Sequence, residues 1–121
     1  MTNKKTLVMG ASPNPSRYGF LATNMLRDYH HEVVPYGIRK GQINDLEIVN
    51  ELPQDTDFNT VTLYLAPANQ KEYYDYILKL KPERVIFNPG TENPELEQKL
   101  EENGIKPLEA CTLVLLKTGQ F

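Results

Sequence analysis

The chain has one cysteine, Cys111, so it can form no internal disulfide and no multi-cysteine zinc site. Its two histidines, His30 and His31, are neighbours, and such a pair is badly placed to supply several ligands to one metal. No apolar run reaches the length of a membrane-spanning helix. The basic start, Met1 to Lys5, is not followed by an apolar stretch of signal-peptide length. Basic charge is not in excess. Thirteen Lys and Arg against sixteen Asp and Glu give a net charge of −3, with a pI near 5.4. That balance argues against non-specific nucleic-acid binding, which draws on a basic surface. These absences predict a soluble cytoplasmic protein with neither nucleic acid nor membrane as its partner. A Ser-His-acid set is also missing. The histidines fall between a helix and a strand, and Cys111 has no visible activating partner, so no catalytic residue is assigned.

What remains is ordinary globular material. At 121 residues, 40% hydrophobic and 24% charged, the chain has the size and composition of one domain, taken as residues 1–121. Short apolar runs alternate with helical patterns. Thr6–Met9 reads as a buried strand ending at Gly10. A helix follows, with Asn14 or Ser16 as its cap, Pro15 in its first turn, and an apolar face from Tyr18 to Tyr29. His31–Tyr36 reads as the second strand, with Pro35 near its end. Gly37–Asp45 reads as a polar loop and Leu46–Val49 as a short strand. Thr60–Leu65 is the clearest strand. Asn69 and Glu72 resemble a capping box, with Tyr73, Tyr76, Ile77 and Leu80 on the helix behind it. Arg84–Phe87 is a further strand. Asn93-Pro94 opens another helix and Asn103-Gly104 closes it. Ile105–Glu109 is the last strand. Thr112–Lys117 is left open between strand and helix. The alternation predicts an α/β fold, with a mostly parallel sheet and helices on both faces.

In such a sheet, ligands bind beyond the carboxyl ends of the strands, where strand order reverses. Those ends are Gly10-Ala11-Ser12, Pro35-Tyr36, Ala66-Pro67 and Asn88-Pro89-Gly90. The first loop, Gly10 to Gly19, is the most informative. Gly10 permits a sharp turn and close approach to a ligand. Ser12, Asn14 and Ser16 offer short hydrogen-bonding side chains. The helix start offers free N–H groups, and Arg17 a fixed positive charge, both suited to phosphate. Arg39 and Lys40 could neutralise more phosphate, although most loop charges are simply solvated. Two common phosphate fingerprints are absent. Neither G-x-G-x-x-G nor G-x-x-x-x-G-K-[ST] occurs, and no acidic residue ends the second strand to hold an NAD ribose.

The run Val8-Met9-Gly10-Ala11-Ser12-Pro13-Asn14-Pro15-Ser16-Arg17-Tyr18-Gly19 resembles the opening of small stand-alone CoA-binding domain proteins. These are relatives of the CoA-binding domain of succinyl-CoA synthetase. Glu32-Val33-Val34-Pro35, Thr60–Pro67, Asn88-Pro89-Gly90 and Gly104-Ile105 to Ala110-Cys111 agree in the same order. The resemblance implies a three-layer Rossmann-like fold that binds coenzyme A at the carboxyl edge of its sheet; with no catalytic residue assigned, the expectation is non-catalytic binding of coenzyme A or an acyl-CoA. It places Gly10, Ala11, Ser12, Pro13, Asn14, Ser16, Arg17 and Tyr18 in the nucleotide loop. Pro35 borders the adenosine-phosphate part, with Arg39 and Lys40 beyond it. Ala66, Pro67, Asn88, Pro89 and Gly90 line the remaining groove. The chain departs from its relatives at Tyr36-Gly37-Ile38-Arg39-Lys40, where they read Val-Asn-Pro and a Lys. Three alternatives stay open: an NAD(P)- or other nucleotide-binding protein of the same fold, an interaction scaffold that has lost its ligand, and a small CoA-using enzyme with Cys111 as its handle.

Overall fold

The computed structural model describes residues 3–121. In chain order the elements are β1 (Thr6–Met9), α1 (Tyr18–Asp28), β2 (Val33–Tyr36), β3 (Gln42–Ile43) and β4 (Leu46–Glu47). There follow β5 (Thr60–Leu63), α2 (Pro67–Gln70), a 3₁₀ turn over Lys71–Tyr73, α3 (Tyr74–Leu80) and β6 (Arg84–Phe87). Then come α4 (Pro94–Glu102), β7 (Lys106–Glu109) and α5 (Thr112–Lys117).

Five strands form one sheet in the order β2-β1-β5-β6-β7, and every neighbouring pair is parallel. From β1 the chain moves outward to β2, then returns to β5 and proceeds the other way. The reversal therefore lies between β1 and β5. A single residue extends the β2 edge. Val49 donates its N–H to the Pro35 carbonyl at 2.9 Å and accepts from the Gly37 N–H at 3.1 Å, a parallel bridge to Tyr36.

Both edge strands carry a proline, and both prolines point outward. The Pro35 carbonyl faces Val49, so its missing N–H is on the outer side. Lys106 and Ala110 donate inward to the Glu83 and Phe87 carbonyls, which turns the Pro107 nitrogen to the open edge. No ladder bond is lost, and neither edge presents a full row of donors.

β1 and β5 are buried at all four positions, as strands covered on both faces must be. On one face Met9, Leu63 and Phe87 pack with Ile77 of α3 and with Leu96 and Leu100 of α4. On the other, Val8 packs with Leu26 of α1 and Leu116 of α5. The result is the three-layer α/β arrangement that the alternating pattern predicts.

Local departures from the sequence reading have clear causes. Neither Asn14 nor Ser16 caps α1; its N-cap is Arg17, without a side-chain cap bond. Asn14 Oδ1 instead accepts from the Ser16 N–H at 3.0 Å and from the Ser16 hydroxyl at 2.8 Å. The Ser12 hydroxyl oxygen accepts from the Asn14 N–H. The caps are spent on turns inside the loop. Pro15 precedes the helix rather than entering it. Asn69 is not a cap either, because Pro67 starts α2 and Ala66 is its N-cap. The loop from Gly37 to Asp45 contains β3, which pairs antiparallel with β4; its Ile43 is fully buried. Val49 lies beyond β4, in the bridge to β2. Thr112–Lys117 is a helix, with Thr112 and Leu116 buried. Asn93 does cap α4, its Oδ1 accepting from the Leu96 N–H.

Candidate ligand-binding cleft

A cleft of about 530 Å³ opens over the carboxyl ends of β1 and β5, at the point of reversal. That volume falls in the ordinary range for small-molecule sites. One wall is the loop after β1 and the start of α1. The facing wall runs from Tyr64 through α2 to Tyr73. Pro89, Gly90 and Thr91 close one end, and Tyr36 to Arg39 the other.

The close approach of these loops depends on two glycines. Gly10 has φ +98°, and a Cβ there would lie 2.9 Å from the Tyr64 carbonyl carbon and oxygen. A Cβ at Gly37 would lie 2.2 Å from the Ala11 carbonyl oxygen. The loops after β1, β2 and β5 thus meet backbone to backbone, with no room for a side chain between them.

The first turn of α1 faces this cleft with little internal compensation. It carries no acidic residue and no side-chain cap. The Phe20 and Leu21 N–H groups return to the Arg17 carbonyl. Helix starts of this kind attract anions. Arg17 and Arg39 both line the cleft and are exposed. Among the described residues neither guanidinium forms an ion pair. Glu72 is the acidic residue in the lining. Two apolar side chains stand at the mouth: Tyr18 is 68% exposed and Ile38 85%. Deeper in, burial pushes the Tyr64 phenol well above its ordinary pKa. Its hydroxyl lies against the Thr62–Thr112 hydroxyl pair but makes no hydrogen bond of good geometry.

A buried glutamine fixes the distance between two of the walls. Gln70 Nε2 donates to the Leu65 carbonyl and to the Thr91 carbonyl, each at 2.8 Å. Asn93 Nδ2 donates to Gln70 Oε1 at 2.9 Å. The loops after β5 and β6 are thereby tied through one side chain.

Of the residues expected at the site, Gly10, Ala11, Ser12, Asn14, Arg17, Tyr18, Arg39, Ala66, Pro89 and Gly90 come together in the lining. The others do not. Pro13 packs toward Gly41. Ser16 is used by Asn14. Pro35 is buried within β2, and Lys40 is exposed outside the cleft. Pro67 is the exposed first residue of α2. Asn88 is buried and committed to the frame. Its Nδ2 donates to Thr62 Oγ1 at 2.7 Å and to the Leu63 carbonyl at 2.9 Å; its Oδ1 accepts from the Thr112 N–H at 2.8 Å. Cys111 is the half-buried N-cap of α5, outside the lining.

Sequence reasoning missed Tyr36, Gly37, Ile38, Tyr64, Glu72 and Tyr73 as cleft residues. The strand-end rule pointed toward Tyr36, whereas Tyr64 read as part of the Thr60–Leu65 strand, which in the structure ends at Leu63. Tyr73 read only as part of a helix core face.

A family model described as a CoA binding domain matches residues 4–117. The chain belongs to this family of CoA-binding domains. Solved structures agree with the fold. An uncharacterized protein is 52% identical over 100% of both chains, with a TM-score of 0.97. A Thermus thermophilus protein is 25% identical over 98% of this chain and 91% of its own, with a TM-score of 0.82. The dinucleotide-forming acetyl-coenzyme A synthetase 1 of Ca. Korarchaeum cryptofilum shares the fold at 18% identity and a TM-score of 0.70. That match covers 88% of this chain and 25% of the synthetase. No curated protein matches. No helix among the described residues is long and apolar enough to cross a membrane.

Proposed function

We propose that residues 1–121 act as one domain that binds coenzyme A or an acyl-CoA in this cleft without transforming it. The observation that carries the reading is the pair of guanidinium groups, Arg17 and Arg39, that form no ion pair among the described residues, beside an uncapped helix start at the point of strand reversal. Coenzyme A is polyanionic at one end and neutral along its arm. The Arg17–Arg39 side suits the first. The Tyr, Gly and Pro lining suits the second. The fold alone would suit other nucleotides, so the ligand is argued from the site.

Thermal unfolding with CoA, acetyl-CoA, NADH, NADPH and ATP tests this. A ligand at about a hundredfold its Kd stabilises by roughly 2.7 kcal/mol, a rise on the order of 5–15 °C for a domain of this size. The expected result is a rise with the CoA species and little with the others. A larger rise with NADH or NADPH would replace CoA by a dinucleotide. A flat response to all five would favour a scaffold without a ligand.

A further inference from the structure

We infer that the hydroxyl pair of Tyr36 and Tyr73 is a subsite for a carbonyl oxygen on the neutral arm of the ligand. The inference rests on the CoA reading and specifies how the uncharged half is held. Tyr36 ends β2 and Tyr73 ends the 3₁₀ turn after α2; both line the cleft. Each is only 7% exposed. Their hydroxyl oxygens lie 3.1 Å apart, and their rings meet edge to face with centroids 5.7 Å apart. Packing therefore holds both phenols in place.

Proton counting gives the pair its chemistry. Each phenol has one proton to donate. The contact between the two uses one of the two protons. Among the described residues no acceptor takes the other, and neither oxygen makes a further hydrogen bond. Burial, then the Tyr36 hydroxyl, push the Tyr73 phenol above its ordinary pKa, so it stays protonated at neutral pH. The pair is a neutral donor that water or a ligand must satisfy.

The surroundings select what that ligand group can be. The Glu72 carboxylate lines the same wall, and its charge acts on the Tyr73 hydroxyl. A phosphate or carboxylate here would meet a like charge. A carbonyl oxygen accepts the spare proton without that repulsion. Coenzyme A offers two sources of the same chemistry: the amides of its arm, and the thioester of an acylated form.

Calorimetric titration of three probes into wild type, Tyr36→Phe, Tyr73→Phe and the double variant tests the assignment. The probes are CoA, acetyl-CoA and 3′-phospho-ADP, the nucleotide half without any carbonyl. The double variant should bind CoA or acetyl-CoA roughly three- to tenfold more weakly, and 3′-phospho-ADP unchanged. Equal loss for CoA and acetyl-CoA assigns the carbonyl to an amide. Loss confined to acetyl-CoA assigns it to the thioester. Unliganded melting checks each variant's fold. Should the double variant not fold, the single variants carry the test, and the loss appears in the one that donates outward. Unchanged affinity of the variants for both CoA species overturns the inference, as does an equal loss for 3′-phospho-ADP. Wild type that binds no probe overturns the CoA reading and this inference together.

Discussion

The two rims of the sheet treat charge in opposite ways. At the amino-end rim, cations are used to hold the chain together. Lys5 Nζ lies 2.6 Å from Asp55 and 2.8 Å from Asp57, and stacks over the Phe58 ring. The Lys4 N–H donates to His31 Nδ1 at 3.0 Å. Arg84 donates from Nε to Thr60 Oγ1, and its guanidinium lies over the Phe121 ring. At the carboxyl-end rim, Arg17 and Arg39 form no ion pair among the described residues, and the start of α1 has no side-chain cap. The fold gains nothing evident from either guanidinium. At the amino-end rim Lys5 is ion-paired and Arg84 is held by a hydroxyl and an aromatic ring, whereas among the described residues the two cleft guanidiniums have no ion-pair partner.

This contrast is open to attack by substitution. The largest effect is expected at Asn88, which lies under the cleft rim but serves the frame. Asn88→Ala removes three buried hydrogen bonds and strands the Leu63 carbonyl and the Thr112 N–H. Chemical denaturation should show a loss of about 3 kcal/mol or more, since each stranded group costs ~1–3 kcal/mol. A loss below about 1 kcal/mol would return Asn88 to the candidate ligand contacts. Arg17→Ala and Arg39→Ala should act the other way. Each should weaken CoA binding by at least about tenfold in titration, as a charged hydrogen bond is worth ~1.5–3 kcal/mol. Melting of the unliganded protein should stay unchanged.

Two smaller effects belong to the amino-end rim. Lys5→Met should lower stability by up to about 1 kcal/mol, because the acidic partners are solvent-exposed, and should leave CoA affinity alone. A change in affinity there would blur the distinction between the rims. His31 supplies a pH effect. Burial, then the charges of Lys4, Arg84 and His30, hold its pKa below the ordinary 6.5. The unfolded chain therefore takes up the proton first as pH falls. Stability should decline below about pH 6.5 in wild type. The decline should be shallower in His31→Gln, read by denaturant midpoints at several pH values.

The sequence was most legible where one residue type had one use. The buried strands showed as apolar runs ending at Gly10 and at Asn88-Pro89-Gly90. Asn93-Pro94 announced α4 because a cap and a first-turn proline coincide there. Legibility failed where a polar side chain had several possible partners. Asn14 and Ser16 had the chemistry of helix caps but bond each other. Asn88 had the chemistry of a ligand contact but is taken up by three neighbours. Tyr36 and Tyr73 lie 37 positions apart, and only the sheet order and the turn after α2 bring their hydroxyls together. Thr112–Lys117 was too short for its periodicity to decide; in the structure it is a helix packed against α1.

The central claim is that the ligand lies at the carboxyl-end rim and nowhere else. An amide-resolved NMR titration of the protein with CoA tests it most directly. The account predicts shifts concentrated in Gly10–Gly19, Tyr36–Arg39, Leu65-Ala66 and Gly90-Thr91, with Lys5, His31 and Arg84 unmoved. Saturating CoA without shifts in the first group, or with shifts centred on the second, would contradict it.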